Sequence, residues 1–272
     1  GNFVSGGYSG DGGSALSAQL NNPTGITQDP QGKLLIADNN NHRIRKVNLS
    51  GSIFTVAGCA FHSAQGYFGD GVPAISAVLY TPCGLAFDTA YNLYIGDVNN
   101  SVIRKIDTSG IITTIAGDGT SGFAGDGGAA TSAKFYAPVA VAADKKGNLF
   151  ICDANNHRVR KVGQSGIITT FAGKGGSGFS GDGGQADSAL LNNPYGLAID
   201  KFGNIFISDR NNNRIRKVDT NNIITMVLIK NIIIIIHKDC ITLIKYLTFT
   251  CKLFYIMFIT ITFIAFITFP TT

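Results

Sequence analysis

The 272-residue chain has no tryptophan and no glutamate, so all 17 of its acidic residues are aspartates. Glutamate is a good helix former, whereas the abundant residues here, 34 glycines with many asparagines and aspartates, favour turns. That composition excludes a helical bundle and points to an all-β chain. Charge of one sign is also scarce. Up to Thr225 there are 18 lysines and arginines against 16 aspartates, a surplus of two, so most of the formal +5 sits in the remainder. Such balance lacks the dense positive field by which proteins neutralise nucleic-acid phosphates. The five cysteines (Cys59, Cys83, Cys152, Cys240 and Cys251) include no CxxC pair and no metal spacing. The chain opens on glycine without a leader peptide, which reads as a fragment whose start is missing.

What the sequence does hold is a repeat. DNNNHRIRKV (38–47) returns as DVNNSVIRKI (97–106), DANNHRVRKV (153–162) and DRNNNRIRKV (209–218), with spacings of 59, 56 and 56. The same register is kept by the aspartates of GDG (Asp11, Asp70, Asp126, Asp182) and by Pro23, Pro82, Pro138 and Pro194. The three extra residues of the first interval fall in the loop GCAFHSAQGYFGDG. Cys152 occupies the slot of Ala37, Gly96 and Ser208, so it reads as a small core side chain.

Each period carries four short strand signals. In the third copy these are VAVAAD, NLFICD, HRVRKV and IITTFAG, separated by turns of Gly, Asn, Asp or Ser. Four antiparallel strands per unit make one blade of a β-propeller, which buries both faces only by stacking on neighbouring blades. The expected blades are about 23–58, 82–117, 138–173 and 194–227, with residues 1–22 as the linker of a missing preceding blade. The linkers carry matched aromatics (Tyr8, Tyr67, Phe123, Phe179) and, after GDG, small apolar residues spaced for one helical turn. That spacing places the GDG aspartate near the N-terminus of the turn. With no GxxxxGK[ST] following and the glycines recurring four times, the Gly-rich linker reads as a structural loop in preference to a phosphate cradle.

In a four-stranded meander the loop between strands two and three shares one end of the blade with the linker. Candidate binding residues are therefore Asn40, Asn41, His42, Asn99, Asn100, Asn155, Asn156, His157, Asn211 and Asn212. His42 and His157 share a slot filled by Ser101 and Asn213 elsewhere, which reads as a turn position. Asp38, Asp97, Asp153 and Asp209 read as turn residues making hydrogen bonds. Of the paired arginines, the first or the second (Arg45, Arg104, Arg160, Arg216) is expected to tie its blade to the aspartate of its own or a neighbouring loop. Apolar residues before and after the cation pair break strict alternation, so a β-bulge is expected in the third strand. No catalytic constellation, metal-ligand set or cofactor motif is found.

The pattern NPxGxAxDxxGNLxIxDxxNxRIRKVxxxGxITTxAG, fullest in NNPYGLAIDKFGNIFISDRNNNRIRKVDTNNIITMV (192–227), resembles the NHL repeat. The second copy departs most, with Val102 in place of the first arginine. The resemblance spans residues 1–227 and implies a propeller, usually of six blades. It also implies a non-enzymatic scaffold binding a protein or other macromolecule. Some members of the family bind RNA, and a minority are enzymes such as the amidating lyase or lactonase relatives, so both alternatives stay open.

From Val227 the repeat register is lost, and no glycine follows Gly203. Residues 228–272 are Ile-rich, and 253–269 are apolar or Thr throughout, near the lower bound for a membrane-spanning helix. Lys245 and Lys252 before it favour a cytoplasmic N-terminal flank. The same residue types are what AT-rich codons specify, so the tail reads either as a membrane helix or as translated non-coding sequence. Two sequons, Asn48-Leu49-Ser50 and Asn99-Asn100-Ser101, would permit glycosylation of a secreted chain. The expected setting is extracellular or membrane-anchored.

Overall fold

The computed structural model describes residues 6–59 and 68–227, whose regular structure is strand and single 3-10 turns. The first blade holds β1 (Pro23–Gln28), β2 (Leu34–Asp38), β3 (Arg43–Val47) and β4 (Ile53–Ala57). A two-residue strand, β5 (Val72–Pro73), lies in the following linker. The second blade is β6 (Pro82–Phe87), β7 (Leu93–Asp97), β8 (Val102–Ile106) and β9 (Ile111–Ala116). The third is β10 (Pro138–Ala143), β11 (Leu149–Asp153), β12 (Arg158–Val162) and β13 (Ile168–Ala172). The fourth is β14 (Pro194–Ile199), β15 (Ile205–Asp209), β16 (Arg214–Val218) and β17 (Ile224–Met226).

Each blade is an antiparallel meander in chain order, and β5 pairs with β9 at the edge of the second. The other linkers reach the same place through single bridges, Ser14 to Ser52, Ala129 to Ile167 and Gln185 to Ile223. Each linker thus runs along the outer strand of the blade it precedes, partly covering its edge. The chain is a propeller of four-stranded blades, as its repeat predicts. Residues 1–5, Tyr67 and His62 lie outside the described residues, as do the 228–272 tail, its 253–269 segment, Cys240 and Cys251. Among the described residues no helix is long and apolar enough to cross a membrane.

Blade-on-blade packing explains the apolar pattern. Ile106 packs towards the first blade with Leu85 and Ile95, whereas Ile103 packs towards the third with Val141 and Ile151. Residues three apart on one strand point to opposite faces, and here both faces are buried. The third strand therefore keeps unbroken register with the second, and the bulge expected there is absent. It lies instead in the fourth strand, where Val56, Ile115 and Phe171 are the extra residues between successive pairs.

The linkers hold the single helical turn that their alanine spacing predicts. Ala74–Ser76, Ala130–Ser132 and Ala186–Ser188 are 3-10 turns without a side-chain cap, so the GDG aspartates do not cap them. The small alanines are needed for close approach. Ala74, Ala130 and Ala186 are buried, and their carbonyls accept the N–H of Gly58, Gly117 and Gly173 where the preceding blade exits. Inner strands approach more closely still. A Cβ on Gly84 would sit 2.6 Å from Cα of Ala140 and 2.8 Å from the Val139 carbonyl oxygen. Gly84→Ala should therefore push β6 from β10 and destabilise the chain by about 1–3 kcal/mol. Thermal unfolding checks this; an unchanged midpoint would contradict the packing described.

Candidate functional site

The loop between the second and third strands is built identically in every blade. The strand ends on Asp38, Asp97, Asp153 or Asp209, one 3-10 turn follows, and a left-handed residue closes it. That residue is His42, Ser101, His157 or Asn213, with φ of 55°, 55°, 55° and 53°. Short polar side chains and histidine tolerate this conformation better than branched ones. The aspartate is fully buried in all four blades. Its Oδ1 accepts the backbone N–H of Asn21, Tyr80, Tyr136 or Asn192, each at 2.7 Å. Its Oδ2 accepts the amide of Asn41, Asn100, Asn156 or Asn212 at 2.8–2.9 Å.

The second arginine of the pair completes this core. The side chains of Arg45, Arg104, Arg160 and Arg216 are wholly buried. Each lies 3.4–3.7 Å from its own loop aspartate. Each also grips the GDG aspartate of the linker, Asp11, Asp70, Asp126 or Asp182, at 2.6–2.9 Å. That second partner is not the neighbouring-blade loop considered from sequence. Carbonyls of the linker accept further bonds, including those of Ser9, Val78, Ala124 and Leu190. A buried guanidinium is tolerable because it is paired and hydrogen-bonded on several sides.

The first arginine takes another role. Arg43, Arg158 and Arg214 lie 3.9–4.0 Å over the rings of Tyr8, Phe123 and Phe179, and the second arginine stands 4.8 Å from the same ring. Cation–π contact thus fixes the matched linker aromatics. These aromatics stand out in the sequence, but their partners do not, and neither does the role of the histidines. Nδ1 of His42 accepts the N–H of Thr81, and Nδ1 of His157 accepts that of Asn193, both at 3.1 Å. They stitch one blade to the next.

The candidate binding residues now divide. Asn41 and Asn100 are buried, and the amides of Asn41, Asn156 and Asn212 also reach the linker carbonyls of Gly7, Gly122 and Gly178. These four asparagines belong to the fold, and their amides are not free for a partner. Asn40, Asn99, Asn155 and Asn211 remain exposed. Their N–H groups bond the carbonyls of Asn21, Tyr80, Tyr136 and Asn192, placing the loops beside the linker ends. Half-exposed Tyr136 and the Arg210–Tyr195 stack, at 4.6 Å, extend the same end. The tyrosines were missed because Pro138 and Pro194 beside them served only as register markers. Among the described residues no His, Cys or Asp cluster could hold a metal ion.

Four-stranded blades, repeat-length linkers and this loop define an NHL-repeat propeller. The profile of the Teneurin NHL domain matches residues 60–122, 118–178 and 175–238, and that of the NHL repeat matches 20–47. The chain belongs to the Teneurin NHL domain family. It is 34% identical to mouse Teneurin-4 over 236 residues, which is 78% of this chain and 8% of that protein. Mouse Teneurin-1 is 31% identical over 237 residues, covering 79% and 8%. The chain therefore spans about 8% of the length of these relatives. Among solved structures, an auxiliary nutrient binding protein from Bacteroides thetaiotaomicron superposes with a TM-score of 0.56 at 23% identity. That match covers 77% of this chain and 49% of the other, and it bears on the fold alone.

Two outcomes follow for the buried cluster. Arg160→Ala leaves the Asp153 carboxylate without its cation and should cost about 3–5 kcal/mol of stability. Melting unchanged while ligand binding is lost would overturn the structural role. Burial also pushes Asp97 and Asp153 up to about 6, against the opposing donors Asn100, Asn156, Arg104 and Arg160. Because the folded values exceed the unfolded one, this stabilisation is complete below about pH 4 and is lost as pH rises through 6. The free energy of unfolding in urea should be larger at pH 5 than at pH 7 by about 1 kcal/mol per carboxyl, and Asp97→Asn should remove one share.

Proposed function

We propose that this chain is a non-enzymatic protein-binding module, extracellular or membrane-anchored, whose contact surface is the loop end of the propeller. The observation that carries the reading is the exposure of Asn40, Asn99, Asn155 and Asn211 at one position of four successive blades. Neutral amides with neighbouring tyrosines suit the polar, adaptable contacts of a protein interface. Membership of the Teneurin NHL domain family supports a scaffold role. The commitment of His42 and His157 to blade-to-blade bonds supports a non-enzymatic reading, since neither is a free general base.

The buried arginines weigh against the RNA alternative. The second arginine of every decapeptide is buried, where it cannot neutralise phosphates, which leaves a half-exposed lysine in each blade.

The test uses fluorescently labelled chain applied to intact cells. Binding should survive ribonuclease and be lost when the cells are first treated with protease. The combined substitution of Asn40, Asn99, Asn155 and Asn211 by Ala should weaken it about tenfold or more, equal to ~1.4 kcal/mol, with melting unchanged. Undiminished binding by the folded variant, or sensitivity to ribonuclease, would overturn the reading.

A further inference from the structure

The turns between the third and fourth strands share one backbone form, but the residue that opens them differs: Asn48, Asp107, Gly163 and Asp219. In the second blade Asp107 Oδ1 accepts the N–H of Ser109 and Ile111, and in the fourth Asp219 Oδ1 accepts those of Asn221 and Ile223. In the first blade the same post is held by Asn48, whose Oδ1 accepts the N–H of Ser52 at 2.9 Å and the hydroxyl of Ser50 at 2.8 Å. The turn uses at most the oxygen, and in the third blade Gly163 closes it with backbone bonds alone. An aspartate serves as well in two blades, so the Asn48 amide nitrogen is surplus to the fold, and among the described residues it makes no hydrogen bond.

That nitrogen heads the sequon Asn48-Leu49-Ser50, with Leu49 75% exposed and Ser50 exposed. The other sequon is built differently. Ser101 is buried and left-handed, and Asn100 is buried with its amide on Asp97. Its hydroxyl and middle residue are both locked into the loop. We propose that Asn48 is an N-linked glycan acceptor and that Asn99 is not. The co-substrate is an oligosaccharide carried on a lipid diphosphate. In the transfer an N–C bond forms between Asn48 Nδ2 and the sugar's anomeric carbon. The bond from that carbon to the diphosphate oxygen breaks, the diphosphate leaves with the electron pair, and one amide proton goes to the transferase's base.

The proposal rests on the extracellular reading above and adds a geometric consequence. Asn48 follows β3 at the far end of the blade from Asn40, so a glycan there leaves the proposed contact surface uncovered.

Translation of the full chain behind a cleavable leader, with endoplasmic-reticulum microsomes, tests the acceptor independently of the native address. The protease-protected product should show one mobility step removed by peptide-N-glycosidase. Ser50→Ala and Asn48→Asp should each abolish the step, the latter with the turn preserved as in the second and fourth blades. Ser101→Ala should leave it unchanged. No step on the protected product, a step that survives Asn48→Asp, or one lost in Ser101→Ala would overturn the assignment. Because the leader supplies translocation, failure here is distinct from failure of the cell-binding test.

Discussion

A guanidinium sealed from water between two carboxylates is the contact on which each blade depends. The second arginine lies on the third strand, its first aspartate closes the second strand, and its other aspartate comes from the linker. One side chain therefore fixes three things at once: the loop, the register of the strands flanking it, and the path of the linker over the blade's edge. Removing such a charge from water is costly, and only near-complete satisfaction makes it tolerable. The aspartate meets backbone and side-chain amides as well as the arginine, while the arginine meets carbonyls and an aromatic face. The near balance of aspartates against cations is thus a consequence of internal pairing more than of surface design.

Much of this architecture was legible in the sequence, because repetition converts weak local signals into a strong one. Strand number, blade order and the identity of the outer linkers all follow from three markers in one register. The pairing across the linker was within reach as well. Arg45 and Asp11, Arg104 and Asp70, Arg160 and Asp126, and Arg216 and Asp182 are each separated by 34 residues, so two recurring markers were in fact recording one bond. What could not be read locally was direction. The fourth-strand bulge leaves no compositional trace, since Val56, Ile115 and Phe171 are ordinary strand residues. The histidines looked like turn residues because they are, and nothing in a single blade shows that their ring nitrogens serve the next one.

Burial of the arginines also changes what kind of surface the propeller offers. A decapeptide with three cations suggests a phosphate-binding stripe, yet its arginines stack on linker aromatics or vanish into the core, and the lysine stays half-exposed. Asparagine, which seemed the filler of the motif, supplies the exposed groups. The face is amide-rich and edged by tyrosine, with Arg210 as the charge of the fourth loop, and it gains shape from the blade arrangement in place of long-range electrostatic attraction.

Of the positions where the four blades agree, the loop aspartate, the asparagine bound to it, the buried arginine and the GDG aspartate are committed to folding, whereas the exposed asparagine of the loop is not. Repetition at those sites reflects a shared internal requirement, so it carries no information about a partner. Beyond the repeated exposed asparagine, the informative positions are those where the blades differ within an otherwise constant loop. Asn39, Val98, Ala154 and Arg210 occupy one such slot, and only Arg210 places a charge there, held against Tyr195. His42, Ser101, His157 and Asn213 occupy another, with Ser101 drawn inside and Asn213 exposed. A partner meeting this end of the propeller encounters a regular row of amides interrupted by those unequal neighbours. Regularity supplies the frame, and recognition of one partner over another has to come from the irregular positions set within it.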